Sequence, residues 1–358
     1  MYLMGVIDLF RSFSAGTGRQ ILRGAREEKR ASLLFKARVF SSFLVVAVLV
    51  TACGRGAEPG GGEGTLSSGE RVTVDSMGQE LEFTAVPQRA VSLDQNTTEN
   101  MLALGLEEYM VGTAYMNDQI LPEYKRAYEK VPVLAERYPS LEALLSVDPD
   151  FVYGQIYSFN EKRLATVESY TDKGIAAYVT KGNYVKGRPT MDDVYADFRN
   201  LGRIFRVESR AQNLIEQMKE RIDQVQKRVG RQSEPVKVLV YDSGKNGLYT
   251  AGRSLETELI RLAGGENVFG DLDKDWAQVS WEEVVKRRPE VIVVNDYGKQ
   301  SADEKIKEIL DNSKLKGTPA VQNKRFVVIP LTGAFEGVRN ADTVETLAKG
   351  FYPEKFEP

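Results

Sequence analysis

Two glutamates occupy one slot of a phrase that the chain writes twice: Glu142 in "PSLEALLSVDPDFVYG" and Glu282 in "QVSWEEVVKRRPEVIVV". Ser140 matches Ser280 and Pro149 matches Pro289 at the same offset of 140 residues. Matched anions of this kind suit charge-assisted pairing with two like cationic sites on a partner. A first-turn carboxylate also favours its own helix through the dipole, which explains each glutamate singly but less well their match. Other chemistry is narrowed by absences. The 358 residues include no histidine and one cysteine, Cys53. A Ser-His-Asp triad, an imidazole base and the histidine zinc motifs are thereby closed. No local pattern singles out an acid/base pair among the carboxylates. "SGKNGLYTAG" is glycine-rich but lacks the spacing of a phosphate-cradling loop. The chain reads as a binding protein rather than an enzyme.

The elements that must position these residues follow from periodicity. Each copy of the phrase predicts a short amphipathic helix, a proline turn and a buried strand. Before the first copy, "RVTVDSMGQELEFTAVP" alternates about a Gly78 turn as a hairpin does. "QRAVSLD" predicts a strand, and "NTTENMLALGL" a helix capped by Asn96 or Thr97 and stopped by Gly105. "YMVGT" and "GIAAYVT" predict further strands. The second half repeats the order with "VKVLVYD", "SLETELIRLAGG", "RFVVIP" and the terminal helix "ADTVETLAKGF". Its first helix matches the earlier one at an offset of 159, through Thr98-Glu99-Gly105 and Thr257-Glu258-Gly264. The two offsets differ, so the first lobe must carry an insertion, most simply the Tyr- and Pro-containing excursion 115–139.

Strands alternating with helices predict two similar α/β lobes with mainly parallel sheets. Their bounds fall at residues 71–188 and 233–358, with a helical segment 189–232 between. In that segment Thr190 caps a helix with Val194, Phe198, Leu201 and Phe205 on one face. A second stripe, Leu214, Met218, Ile222, Val225 and Val229, runs to Gly230. Roughly 22 residues at about 1.5 Å each give a rod of about 33 Å, long enough to join two lobes across a cleft.

Residues 1–52 read as a secretion signal: Lys29, Arg30, Lys36 and Arg38 precede an apolar run from Val39 to Ala52, too short for a comfortable membrane span. The run ends at Cys53. Residues 53–70 contain a glycine-rich tether, "GRGAEPGGGEGTLSSGE". The segment 1–52 holds eight Lys/Arg and three acids, so from Cys53 onward 40 basic residues face 48 acidic ones, a net charge of −8. So acidic a body has no electrostatic footprint for nucleic acid.

"VPQRAVSLD", "TTENMLALGL", the two copies of the phrase, the long helix and "GGENVF" together resemble the substrate-binding lipoproteins of ABC importers. The likeness is to the group that binds ferric siderophores, cobalamin and haem, and it covers nearly all of residues 71–358. Val50-Thr51-Ala52-Cys53 resembles the bacterial lipobox, which implies cleavage before Cys53 and a lipid on its thiol. The resemblance implies a monomer anchored outside the cytoplasm, two lobes joined by one long helix, and a ligand held between them with modest closure. It also implies that Glu142 and Glu282 dock into arginine pockets of a permease dimer that works with an ATPase.

Open α/β sheets bind ligands past the C-terminal ends of their strands. That rule nominates Asp94, Gln95, Tyr115, Met116, Gln155, Tyr157 and Tyr184 in the first lobe. In the second it nominates Tyr249, Arg253, Trp276, Tyr297, Phe335 and Arg339; Trp276 falls where relatives carry a ligand-contacting aromatic. The set suits a large flat ligand with negative charge. Lack of histidine argues against a bare zinc or manganese ion, whereas a metal already wrapped in a chelator needs no protein ligand or cofactor. A ferric siderophore is the first choice, with Arg253, Arg339, Lys181 and Arg188 to answer its charge. Cobalamin, or haem with a tyrosine axial ligand, is the alternative on the same scaffold. Rival classes are a lipid-anchored sensor or adaptor that has lost its transporter, and a cell-surface enzyme.

Overall fold

A computed structural model describes residues 71–244 and 247–357. The expected signal segment, Cys53 and the tether lie outside these residues. The described residues open with a hairpin, β1 (Val72–Ser76) and β2 (Gln79–Phe83), paired antiparallel. Met77 and Gly78 both take positive φ, 55° and 78°, as a two-residue hairpin turn requires. Alternation puts Val72, Val74, Leu81 and Phe83 inward. The buried Ser76 hydroxyl accepts from Val179 N at 3.0 Å and donates to Ala177 O at 3.2 Å, fixing the hairpin to the first sheet.

That sheet is built from β3 (Ala90–Ser92), α1 (Gln95–Ala103), β4 (Met110–Ala114), α2 (Lys125–Tyr128), β5 (Val133–Ala135), α3 (Leu141–Leu145), β6 (Phe151–Gly154), α4 (Val167–Thr171) and β7 (Ala176–Val179). Its strand order is β5-β4-β3-β6-β7, parallel throughout. Then come α5 (Met191–Phe205) and α6 (Glu208–Val229). The second sheet arises from β8 (Val236–Tyr241), β9 (Leu248–Ala251), α7 (Leu255–Leu262), β10 (Gly265–Asn267), β11 (Trp276–Val279), α8 (Trp281–Arg287), β12 (Val291–Asp296), α9 (Ala302–Asp311), α10 (Pro319–Gln322), β13 (Phe326–Pro330) and α11 (Asn340–Phe351). Its order is β10-β8-β12-β13, again parallel, while β9 and β11 form a separate antiparallel pair.

The expected α/β architecture with two similar lobes is present. The order β4-β3-β6-β7 of the first lobe is β10-β8-β12-β13 in the second, and β5 is the extra strand. It lies in the excursion 115–139, where the mismatch of offsets places the insertion. The repeat reaches backbone detail. Asp148 and Arg288, each before its proline, take φ of 46° and 51°. Gly174 and Lys324 do likewise at 74° and 50° ahead of the last strand of each sheet. Ser140 Oγ accepts from Ala143 N at 3.1 Å, and Ser280 Oγ from Glu283 N at 3.2 Å; such a cap contributes about 1 kcal/mol. Asp150 accepts Gln88 N and Arg89 N ahead of β3, and Glu290 accepts Lys237 N on β8.

Two details depart from expectation. The cap of α1 is Asp94, and Thr97 answers it from the third helical position; Asp94 N donates to Thr97 Oγ1 at 3.3 Å. The strand stops at Ser92, two residues before the end of "QRAVSLD", so the aspartate falls on the turn. In the second helix Ile215 rather than Leu214 fills the buried stripe; the break before it falls at Arg206, φ 58°, between the two expected helices, where Val207 N returns to Gly202 O at 2.8 Å. From there α6 runs 22 residues, burying Ala211, Ile215, Met218, Ile222, Val225 and Val229 against α5 and α11.

Candidate functional site

Both sheets present the C-terminal ends of their strands to a pocket between the lobes. About 340 Å³ of empty space lies within its lining, open solvent included. The first lobe supplies Tyr157 after β6 and Gly182, Asn183 and Pro189 after β7. The second supplies Ser254 and Leu255 at the start of α7, Asp275 and Trp276 at the start of β11, and Ala334, Phe335 and Glu336 after β13. Tyr249 on β9 stacks on Trp276, ring centres 6.0 Å apart and planes 16° apart, which stiffens that wall.

Glu336 is buried, and its Oε2 accepts from Asn183 Nδ2 across the lobes at 3.2 Å. Its other oxygen lies so close to Gly182 that no Cβ fits there. Burial pushes the Glu336 carboxyl up to about 7, and the charges of Asp275 and Asp193 add to the rise. Asp275 is raised for the same first reason, burial, against the pull of Arg253. Burial also raises the Tyr157 phenol, and Asp275 and Glu336 push it the same way.

Of the residues nominated from sequence, Tyr157, Trp276 and Phe335 meet in this lining, and Tyr249 backs it. Arg253 sits beside it, 2.8 Å from Asp273 and 3.8 Å from Asp275. Others are turned elsewhere. Arg339 reaches into the first lobe and holds both oxygens of buried Glu99 at 2.6 Å, with Gln119 O at 2.7 Å. Tyr297 donates to Asp242 Oδ2 at 2.7 Å under Lys305 Nζ, 4.1 Å from its ring. Tyr184 Oη is 3.4 Å from Asp75 O. Tyr115, at a strained φ of 57°, stacks on Tyr138 at 4.4 Å, and Tyr138 donates to Asp94 at 2.9 Å. Gln95 and Gln155 serve the backbone of residues 117–118 and the side chain of Asn96. Arg188 donates to Gly270 O at 2.8 Å. Arg339 and Arg188, expected to face an anionic ligand, are thus matched to protein acceptors, whereas the buried Nε of Arg253 has no hydrogen-bond partner.

Sequence reasoning passed over Asp275, Glu336, Gly182, Asn183 and Ser254. The available signal was adjacency: Asp275 precedes Trp276, Glu336 follows Phe335, and Asn183 precedes Tyr184. On the outer faces Glu142 and Glu282 are both exposed at the second position of their helices. Lys314 pairs with Glu282 at 2.8 Å and draws its carboxyl below the usual range.

Comparison with known proteins agrees with this layout. An uncharacterised ABC transporter substrate-binding lipoprotein of Bacillus subtilis is 25% identical over 327 residues, 90% of this chain and 99% of its own length. A vitamin B12-binding protein of Pectobacterium atrosepticum is 26% identical over 215 residues, 59% of this chain and 72% of its own. Among solved structures, a periplasmic binding protein from Veillonella parvula has a TM-score of 0.73 at 29% identity, covering 79% of this chain and 98% of that one. An ABC-type Fe3+-hydroxamate transport protein from Saccharomonospora viridis shares the fold, with a TM-score of 0.67 at 24% identity, covering 78% of this chain and 98% of that one. These relatives are named for binding and transport, not catalysis. The periplasmic binding protein family matches residues 91–331, from the first strand of one lobe to the last strand of the other, and with paired parallel sheets about a shared pocket the chain belongs to that family.

Proposed function

We propose that the chain captures a metal chelate, a ferric siderophore by first choice, outside the cytoplasm and delivers it to an ABC permease dimer with its ATPase. The observation that carries this reading is the pocket shared by both lobes, with Tyr157 on one side and Trp276 and Phe335 on the other. The named relatives, one an ABC transporter substrate-binding lipoprotein and one an Fe3+-hydroxamate transport protein, support it. The relative named for vitamin B12 favours a second reading, a corrinoid in the same pocket.

In this reading residues 1–52 are a removed signal, Cys53 carries a lipid, and residues 53–70 tether a monomeric body to the membrane. Residues 71–188 and 233–358 act as lobes about the segment 189–232. Glu142 and Glu282 form a pseudo-two-fold pair of anions suited to a two-fold partner. Both are exposed and identically presented by Ser-capped helices. The double variant Glu142→Ala/Glu282→Ala is expected to abolish import of the chelate while leaving its affinity unchanged, measured by uptake and by titration of the full chain. Normal uptake by the double variant would remove the docking assignment.

A further inference from the structure

Taking the pocket to be a chelate site, we infer that it selects a metal complex with no net negative charge, neutral or cationic and bearing hydrogen-bond donors. Ferric trihydroxamates and corrinoids fit that description. Tris-catecholate iron complexes and haem, with its propionates, do not. The inference rests on the proposed function and adds the charge class of the ligand.

The charged groups around the pocket carry the case. Two carboxylates, Asp275 and Glu336, line it, and no lysine or arginine does. Arg253, next to Ser254, pairs with Asp273 at 2.8 Å, and its Nε, without a hydrogen-bond partner, lies 3.8 Å from Asp275, whose charge it offsets. Arg339 is committed to Glu99, and Arg188 to Gly270 O. Arg163 lies over the Tyr138 ring at 4.9 Å. Lys305 is buried and donates to Asn295 O. Asp193 adds a further negative charge near Glu336, and Lys181, next to Gly182 in the chain, is offset by Asp197, which its backbone N–H meets at 3.1 Å. Carboxylates are therefore the charged groups of the lining itself.

A second observation marks the same pocket as a ligand site, through a group that can either donate or accept. Ser254 Oγ is buried, lines the pocket and has no hydrogen-bond partner. A buried hydroxyl left in that state invites a ligand group. Tyr157, raised by burial and by both carboxylates, stays a neutral phenol and is poorly disposed to become a tyrosinate toward haem iron. An anionic chelate would have to approach the partly exposed Asp275 carboxylate and the buried Glu336, where like charges repel. A cationic chelate would instead favour the ionised form of Glu336. Its affinity should therefore rise as pH increases through about 7, where that group exchanges its proton.

The test is titration calorimetry of the full chain with four probes: cationic ferrioxamine, uncharged cyanocobalamin, a trianionic ferric tris-catecholate and haemin. The best neutral or cationic probe is expected to bind at least about tenfold more tightly than either anionic one. Asp275→Asn/Glu336→Gln should narrow that ratio to about threefold or less. Asp275→Asn alone, which leaves the Asn183–Glu336 bond intact, should narrow it part of the way. Tighter binding of an anionic probe, or a ratio unmoved in both variants, would overturn the charge inference and leave the chelate reading standing. If none of the four binds, the chelate reading fails and the inference with it.

Discussion

The two lobes share a strand order but finish the ends of their sheets differently. Each places a buried aspartate after its first strand, receiving a tyrosine and a serine hydroxyl: Tyr138 and Ser158 on Asp94, Tyr297 and Ser243 on Asp242. Each sets a cation over the tyrosine ring, Arg163 in one and Lys305 in the other. Beyond that the lobes part. In the first, Ser92, Thr97, Thr98 and Thr113 bond one another at 2.5–3.0 Å under α1. In the second, Ser254 Oγ, Glu256 Oε1, Asn295 Oδ1 and Thr332 Oγ1 are buried without partners. A polar network fully matched within the protein is built to hold shape, whereas unmatched groups mark where matching comes from elsewhere. The first lobe's end is an anchor, and the second lobe's end keeps buried polar atoms without protein partners.

Anchoring is the sharper claim and has the largest expected effect. Asn96 and Asn100 donate to Glu336 O, Asn100 Oδ1 accepts Val338 N, and Arg339 grips Glu99. The segment 336–339 thus plugs the second lobe into α1 of the first. Arg339→Ala would strand a fully buried carboxylate and should destabilise the protein by about 3–5 kcal/mol in urea unfolding. A loss near zero would mean that the clasp is incidental.

The contrast in satisfaction makes a pH prediction. Burial pushes the Glu256 carboxyl from 4.5 up to about 8, opposed only by its bond from Asn295. Below about 4.5 the group is protonated in both folded and unfolded chains and contributes no pH dependence. Between about 4.5 and 8 the folded chain keeps a proton that the unfolded chain has lost. Stability therefore falls as pH rises through that window, with a slope approaching about 1.4 kcal/mol per pH unit from this group, and levels off above it. Glu256→Gln should flatten the profile between pH 5 and 8. An unchanged slope would relocate the effect to other buried carboxyls such as Asp242, raised in the same direction.

Much of this comparison could be read before any coordinates. One offset of 140 residues located both Ser-capped helices, both proline turns and both central strands, because those features are set within about fifteen residues. Longer-range partners were not legible. Tyr157 and Tyr297 hold the same slot at that offset, yet one faces the pocket. The other turns under Lys305 because Asp242, 55 residues away, accepts its hydroxyl. Arg339 was nominated for the ligand but is taken by Glu99, 240 residues earlier. β10 is three residues, "GEN", with no periodicity to betray it, and it exists because β8 offers an open edge. Glu336 looks like an ordinary surface acid until Gly182 and Asn183 of the opposite lobe close over it.

The smallest expected effect concerns the outer faces, where the proposed docking pair is alike in presentation and unlike in company. Glu282 is engaged by Lys314 at 2.8 Å, while Glu142 has no ion-pair partner among the described residues. Both members of the Lys314–Glu282 pair are more than half exposed, so the contact is weak and salt-screened. Docking to an arginine pocket would displace Lys314, and Glu282 would start from a slightly better ground state than Glu142. Glu142→Ala should therefore weaken permease association more than Glu282→Ala does. Lys314→Ala should strengthen association at low salt by less than about fivefold, with the difference vanishing at high salt. Weaker association in Lys314→Ala would show instead that the lysine itself meets the partner. In that case the two prongs differ in kind, and the second lobe docks through a pair of opposite charges rather than a lone carboxylate.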